Sequence, residues 1–235
     1  MQLNKKEIKD YLRRINLGGE ITADISTLRL LHSAHIESIP FENLDVSLGN
    51  KITLSLRSQL NKIIYQKRGG FCYELNNTFA ALLSACGFSV KLLSASVFFR
   101  NKYGPKFDHL LILVKCEGKL LITDVGFGNS FREPLFLTGI PVKQLNAFYK
   151  VVRNGAEYTL QQKKEDMIWQ VQYIFTLECH KIEAFQHMCE YMQTSAESHF
   201  TQESICSIPT KSGRKTLSNN RYIETINGKR NEFII

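Results

Sequence analysis

Apolar and polar positions alternate with two different periods in the two parts of this chain. Up to about Cys86 they recur at helical spacing, and helices are predicted over Lys5–Ile15, Ile25–Ser38, Ser55–Gln66 and Tyr73–Cys86. The last is the clearest: from Phe71, apolar residues return at Leu75, Phe79, Leu82, Leu83 and Cys86, and Gly87 follows where a helix commonly closes in the left-handed conformation. Ser26 is the candidate N-cap for the segment from Thr27 to His35. From Ser89 the period shortens to that of strands. These are predicted over Val90–Arg100, His109–Cys116, Lys119–Val125, Ala147–Arg153, Tyr158–Gln162 and Ile168–Phe175. Asn154-Gly155 marks a hairpin, a helix returns near Ile182–Met192, and the tail from Ser204 reads as short strands turning at Ser212-Gly213 and Asn227-Gly228. The pattern by itself implies an α+β protein with no repeat, low-complexity tract or flexible linker.

Two places in this pattern carry chemistry. The first is Arg68-Gly69-Gly70-Phe71-Cys72 at the start of the predicted Tyr73–Cys86 helix. Glycines allow a tight turn and close approach of a ligand, and a helix N-terminus offers free N–H groups to a negative charge. Such a position is expected to lower a thiol pKa, with Arg68 adding positive charge nearby. The second is the pair of strands joined by Glu117-Gly118. If those two residues form the loop, Cys116 faces Lys119 and Asp124 lies opposite Leu111. His109, two residues from Leu111, then points to the same face as Asp124, with Cβ atoms about 7 Å apart. A slip of one residue would put the two side chains on opposite faces. Cys72, His109 and Asp124 together can make a nucleophile at neutral pH.

Other candidates carry less. Cys86 and Cys116 fall on apolar faces and read as core. His32 and His35 share one predicted helix and read as structural or surface residues. Cys179, His180, His187 and Cys189 have a spacing that matches no familiar zinc site, and no metal is expected.

Composition narrows the setting. The chain has 235 residues, 43% of them hydrophobic, enough for a substantial core. No apolar run approaches the roughly 18 residues of a membrane helix, and the N-terminus does not read as a signal peptide. Six cysteines without paired spacing fit a reducing, cytoplasmic setting. The net charge of +8 is spread along the chain and suits an anionic ligand as well as a basic surface. No motif for nucleic-acid recognition accompanies it.

The segment Arg68 to Asn76 resembles the cysteine motif of the arylamine N-acetyltransferases. Four further blocks resemble that family in the same order. They are His35 with Ile39-Pro40-Phe41-Glu42-Asn43-Leu44, then Phe107-Asp108-His109, Asp124-Val125-Gly126-Phe127-Gly128, and Thr210 to Leu217 with its Gly213-Arg214 turn. The resemblance spans His35 to Leu217. It departs from the family where Cys189 and Ala196 stand in place of a usual asparagine and a Thr-Ser-Pro turn, and relatives generally continue past the position of Ile235. It implies a helical bundle over residues 1–86 carrying the nucleophile, a β-barrel over 87–192 carrying His109 and Asp124, and a short α/β lid over 193–235, with a papain-like core. It also implies acetyl transfer from acetyl-CoA through Cys72 to arylamines, arylhydrazines or arylhydroxylamines, in a monomer or homodimer. Phe41, Phe127 and Gly128 are expected at the substrate pocket, although Phe41 and Phe127 also read as plain core and Gly126 and Gly128 as bends. A cysteine hydrolase, a transglutaminase-like enzyme, an amide synthase or a non-enzymatic binding protein remain open on the same residues.

Overall fold

The computed structural model describes residues 3–164 and 167–235. In chain order it runs α1 (Lys5–Arg14), α2 (Ile25–Ser38), β1 (Phe41–Glu42), α3 (Leu44–Ser47), α4 (Leu56–Leu60) and α5 (Cys72–Ala85). Then come β2 (Ser89–Phe99), β3 (Lys102–Tyr103), β4 (His109–Cys116), β5 (Lys119–Thr123), β6 (Leu135–Phe136), β7 (Val142–Gln144), β8 (Ala147–Asn154), β9 (Glu157–Lys164) and β10 (Gln170–His180). The rest is α6 (Gln186–Thr194), α7 (His199–Gln202), β11 (Ile205–Thr210), β12 (Gly213–Ser218), β13 (Arg221–Ile226) and β14 (Lys229–Ile234).

The strands β2 to β10 form one sheet in the order β6-β5-β4-β2-β10-β9-β8-β7, with β3 attached to β2. It curls until β6 lies near β8, so that the sheet nearly closes on itself. The tail forms a second sheet, β1-β11-β12-β13-β14, in which Phe41 pairs with Ser207. That pairing ties the N-terminal region to the tail and lays both beside the end of β5.

Strand β4 explains the layering. Its apolar run is continuous because it is covered on both sides. Leu111 and Leu113 join a cluster with Leu93, Tyr149, Leu160 and Tyr173 inside the curled sheet. Ile112 and Val114 join Leu75, Phe79 and Leu83 of α5 on the helical side. Leu110 belongs to a third cluster around Cys72, with Phe71, Tyr73, Phe185 and Met192.

Three differences from the sequence reading have physical causes. The α2 helix is capped by Asp24, whose side chain accepts from the Thr27 N–H at 2.7 Å while the Ser26 hydroxyl merely donates to it. A carboxylate at the positive end of a helix outcompetes a hydroxyl. The helix expected over Ser55–Gln66 widens into a π-helical turn at Asn61–Tyr65, and Lys62 within that turn reaches buried acids. Strand β10 continues to His180 rather than stopping at Phe175, because a register shift between Phe175 and Cys179 breaks the alternation without ending the pairing.

Candidate functional site

Cys72 is the first residue of α5 and is almost fully buried. Its loop is held by charge. Glu74 accepts from the Phe71 N–H at 3.2 Å and binds Lys62 at 3.0 Å, and Lys62 also meets Asp45 at 2.7 Å. Arg68 is bound by Glu42 at 2.9 Å and Asp45 at 3.1 Å. The positive charge expected to assist Cys72 is therefore already committed to two carboxylates, and Arg68 secures the loop instead. The expected fall in thiol pKa is also corrected. Burial pushes the Cys72 thiol well up, and the negative charges of Asp108 and Asp124 add to this, while a backbone hydrogen bond from Leu110 opposes it. The helix end alone does not make a thiolate here; the proton needs an acceptor.

The β4–β5 hairpin supplies a candidate. Its register is the one derived from the sequence, with Cys116 opposite Lys119 and Ile112 opposite Thr123. Glu117 and Gly118 form the two-residue loop, both at positive φ. His109, at the start of β4, is buried with its Nε2 2.7 Å from Asp124 Oδ2. A carboxylate oxygen accepts, so Nε2 carries the proton and Nδ1 is the ring nitrogen left for another partner.

Asp124 is held from four directions. Asn76 donates to Oδ1 at 2.9 Å, the Gly126 N–H to Oδ1 at 3.0 Å, and the Tyr173 hydroxyl to Oδ2 at 3.1 Å. His32 packs behind it, its Nε2 accepting from the Asp124 N–H at 3.3 Å while Nδ1 lies 2.8 Å from the Arg132 carbonyl. Burial alone would raise the Asp124 carboxyl; the His109 charge and hydrogen bond, helped by Asn76 and Gly126, outweigh it and hold the group below the ordinary value.

These supporting residues were not given this role in the sequence reading. Asn76 had a visible signal: it is one helical turn after Cys72, hence on the same face of α5. It also accepts from the Val125 N–H at 2.9 Å and donates to the Leu110 carbonyl at 2.6 Å, so one side chain joins the cysteine helix to both strands. His32 is structural, but as the rear support of Asp124, and burial keeps its pKa lowered. His35, also buried, pairs with the Tyr11 hydroxyl at 2.9 Å, away from the site. Tyr173 had no signal, since nothing in its strand marks it.

Cys72 and His109 open on one cavity of about 430 Å³, whose walls include Phe41, Phe127, Phe200 and Asp108. Gly126 permits the closeness: a Cβ there would lie 2.7 Å from Cys72 Cα. Gly128 sits elsewhere, over the Phe41 ring and on a smaller cavity of about 20 Å³ behind Phe41 and Phe127. Cys86 and Cys116 lie in or against the helical-side core as expected. Cys189 is buried near Cys72, whereas His180 packs on Phe107. No three His, Cys, Asp or Glu side chains converge as metal ligands among the described residues.

Known proteins share this sequence pattern and fold. A family model described as N-acetyltransferase matches residues 24–234. Arylamine N-acetyltransferase 2 of Mus musculus is 35% identical over 229 residues, 88% of this chain and 79% of that protein. A pineal gland isozyme from Gallus gallus is 33% identical over 232 residues, 89% of this chain and 80% of that protein. The solved arylamine N-acetyltransferase of Salmonella typhimurium has 28% identity and a TM-score of 0.92, covering 100% of this chain and 86% of that one. The Mycobacterium marinum enzyme, solved in complex with CoA, has 26% identity and a TM-score of 0.89, covering 97% and 86%. The likeness bears out the expected α+β architecture of helical bundle, β-barrel and α/β lid on a papain-like core.

Proposed function

Since the chain belongs to the arylamine N-acetyltransferase family, we propose that it transfers acetyl groups from acetyl-CoA to aromatic amines, hydrazines or hydroxylamines through Cys72. The observation that carries this is His109, held by Asp124 at 2.7 Å, on the same cavity as Cys72. Asp124 fixes the ring and its tautomer, leaving Nδ1 for the thiol proton. His109 Nδ1 takes the proton from Sγ, and the thiolate attacks the thioester carbonyl. The backbone N–H groups near Cys72 at the start of α5 are the candidates to stabilise the oxygen that becomes negative. The intermediate collapses with cleavage of the C–S bond to the coenzyme, whose sulfur leaves with the proton from His109. The acetyl group stays on Cys72 as a thioester, so this exchange is close to energetically balanced.

An amine nitrogen then attacks the acetyl carbon, His109 takes its proton, and the C–S bond to Cys72 breaks. The thiol regains its proton from His109. A weakly basic aromatic amine is uncharged at neutral pH and attacks without prior loss of a proton. Phe41 and Phe127 give it an apolar wall. The site needs no metal, and six free cysteines suit the cytoplasm.

Intact mass of the protein after mixing with acetyl-CoA alone tests the reading. One acetyl group on Cys72, discharged when an aromatic amine is added and absent from Cys72→Ala, is the expected result. Undiminished acetylation of Cys72→Ala would refute the nucleophile. Turnover of amides without coenzyme would favour a hydrolase on the same triad.

A further inference from the structure

We propose that Asp108 selects the acceptor, favouring aromatic amines that bear a cationic or N–H-donating substituent over those that bear a carboxylate. The inference rests on the function proposed above and concerns the same cavity. Asp108 directly precedes His109, yet it also lines the cavity on which Cys72 and His109 open. Its carboxylate is short of partners. Oδ2 accepts one backbone N–H, from Val97 at 3.2 Å, and no Lys, Arg or His forms an ion pair with it among the described residues. Burial pushes its carboxyl pKa up, opposed by the Val97 hydrogen bond and then by the charges of His109 and His199. A half-buried carboxylate with one donor is an unmet demand for charge or hydrogen bonds.

The group is also fixed in place. Gly104 packs against it so closely that a Cβ would fall 2.1 Å from Oδ2, and the Gly104 N–H is itself bound to the Val97 carbonyl at 2.8 Å. The loop after β3 thus forms a seat for this carboxylate at the cavity wall. Around it the wall is aromatic: Phe41, Phe127 and Phe200. Aromatic faces with a carboxylate among them suit a ring that carries positive charge or donors, and they repel a ring that carries negative charge. Two other permanently charged groups border the cavity, Lys102 and Glu203; both are exposed, of opposite sign, and screened by water and salt, while His199, which also lines it, has its pKa lowered by burial and is held toward the neutral form. Asp108 is therefore the charge that an acceptor meets inside.

Three para-substituted anilines of similar size test this: one with a dimethylaminomethyl group, which is cationic and cannot itself be acetylated, one with a methyl group, and para-aminobenzoate. The readout is kcat/KM for discharge of the acetyl-enzyme. Wild type is expected to rank cation over neutral over carboxylate. Asp108→Asn keeps an acceptor for the Val97 N–H and is expected to narrow the cation-to-carboxylate ratio by roughly tenfold, the worth of one charge-assisted hydrogen bond. Asp108→Glu is expected to keep the wild-type order. A wild-type preference for para-aminobenzoate, or an unchanged ratio in Asp108→Asn, overturns the inference and leaves the acetyltransferase reading standing. Failure of the wild-type protein to take up acetyl from acetyl-CoA, with no acetylation of any of the three amines, overturns that reading and this inference with it.

Discussion

The floor and the mouth of the cavity are built by opposite means. On the floor, Cys72 and His109 begin regular elements, Asp124 follows directly on a third, and all three are buried. Their positions are fixed by side chains from α2, α5 and β10, namely His32, Asn76 and Tyr173. At the mouth, Phe99 and Tyr103 sit beside a tight turn with Arg100 and Asn101 at positive φ, and they are 60% and 48% exposed. The other rim is α7, a helix of four residues. The chemical step is common to every acceptor and needs geometry held to a fraction of an ångström. Acceptor choice differs from one molecule to the next, and apart from the Asp108 carboxylate on the cavity wall it falls to short elements with few buried contacts. Substitutions on the floor should thus cost every acceptor alike, while those at the mouth should sort acceptors.

The largest effect is expected from Asp124→Asn. The amide keeps the shape but can present an N–H to His109 Nε2, which would force the wrong tautomer. A loss of roughly 10³ to 10⁴ in kcat is expected, as for the same change in other triads, and it should be equal for a one-ring amine, a two-ring amine and a hydrazine. Steady-state rates with the three acceptors measure it. A near-normal rate, or a loss confined to one acceptor, would break the contrast between floor and mouth.

A smaller effect comes from the proton that leaves Cys72. Burial holds the thiol well above its ordinary range, so a thiolate below that range needs His109 to take the proton. The sign follows. In the native protein, alkylation by iodoacetamide should persist well below pH 8.5, the free-thiol value. In His109→Ala the rate should rise only above it, a displacement of more than one pH unit and more than tenfold in rate at neutral pH. Coincident profiles would show that the thiol does not rely on the ring.

The sequence made the floor legible and the mouth opaque for a physical reason. The helix from Phe71 follows a local period, and Glu117-Gly118 sets a register that runs back along one strand to His109 and forward along the other to Asp124 without reference to the rest of the chain. Both arise from short-range rules that need only neighbours in sequence. Tyr173, which donates to Asp124, is 49 residues away, and its place depends on the long-range pairing of β10 with β2. The α7 rim is pinned by Asn43, whose side chain donates to the Phe200 and Glu203 carbonyls at 3.0 and 2.7 Å and accepts from the Ile205 N–H at 2.7 Å. Asn43 was visible only as part of a family motif; its partners lie about 160 residues on, beyond the reach of any periodicity. The thiol pKa was misread for the same reason. The helix end could be read locally, but the burial and the carboxylates that outweigh it come from distant strands.

The smallest expected effect sharpens the contrast most, because it must be selective. Phe99 ends β2 at the rim, its ring 6.2 Å from that of His199 across the cavity mouth. It touches neither His109 nor Asp124, so Phe99→Ala leaves the floor intact, and acetyl-enzyme formation should proceed at the native rate. A two-ring arylamine long enough to reach the rim loses one aromatic contact, about 1 kcal/mol, or roughly fivefold in its KM. A small hydrazine seated on the floor never meets Phe99 and should lose nothing. Single-turnover discharge of the acetyl-enzyme over a range of acceptor concentrations separates KM from kcat in both cases. Equal losses for the two acceptors would mean that the rim shapes the floor after all, and the division of labour between the two regions would not hold.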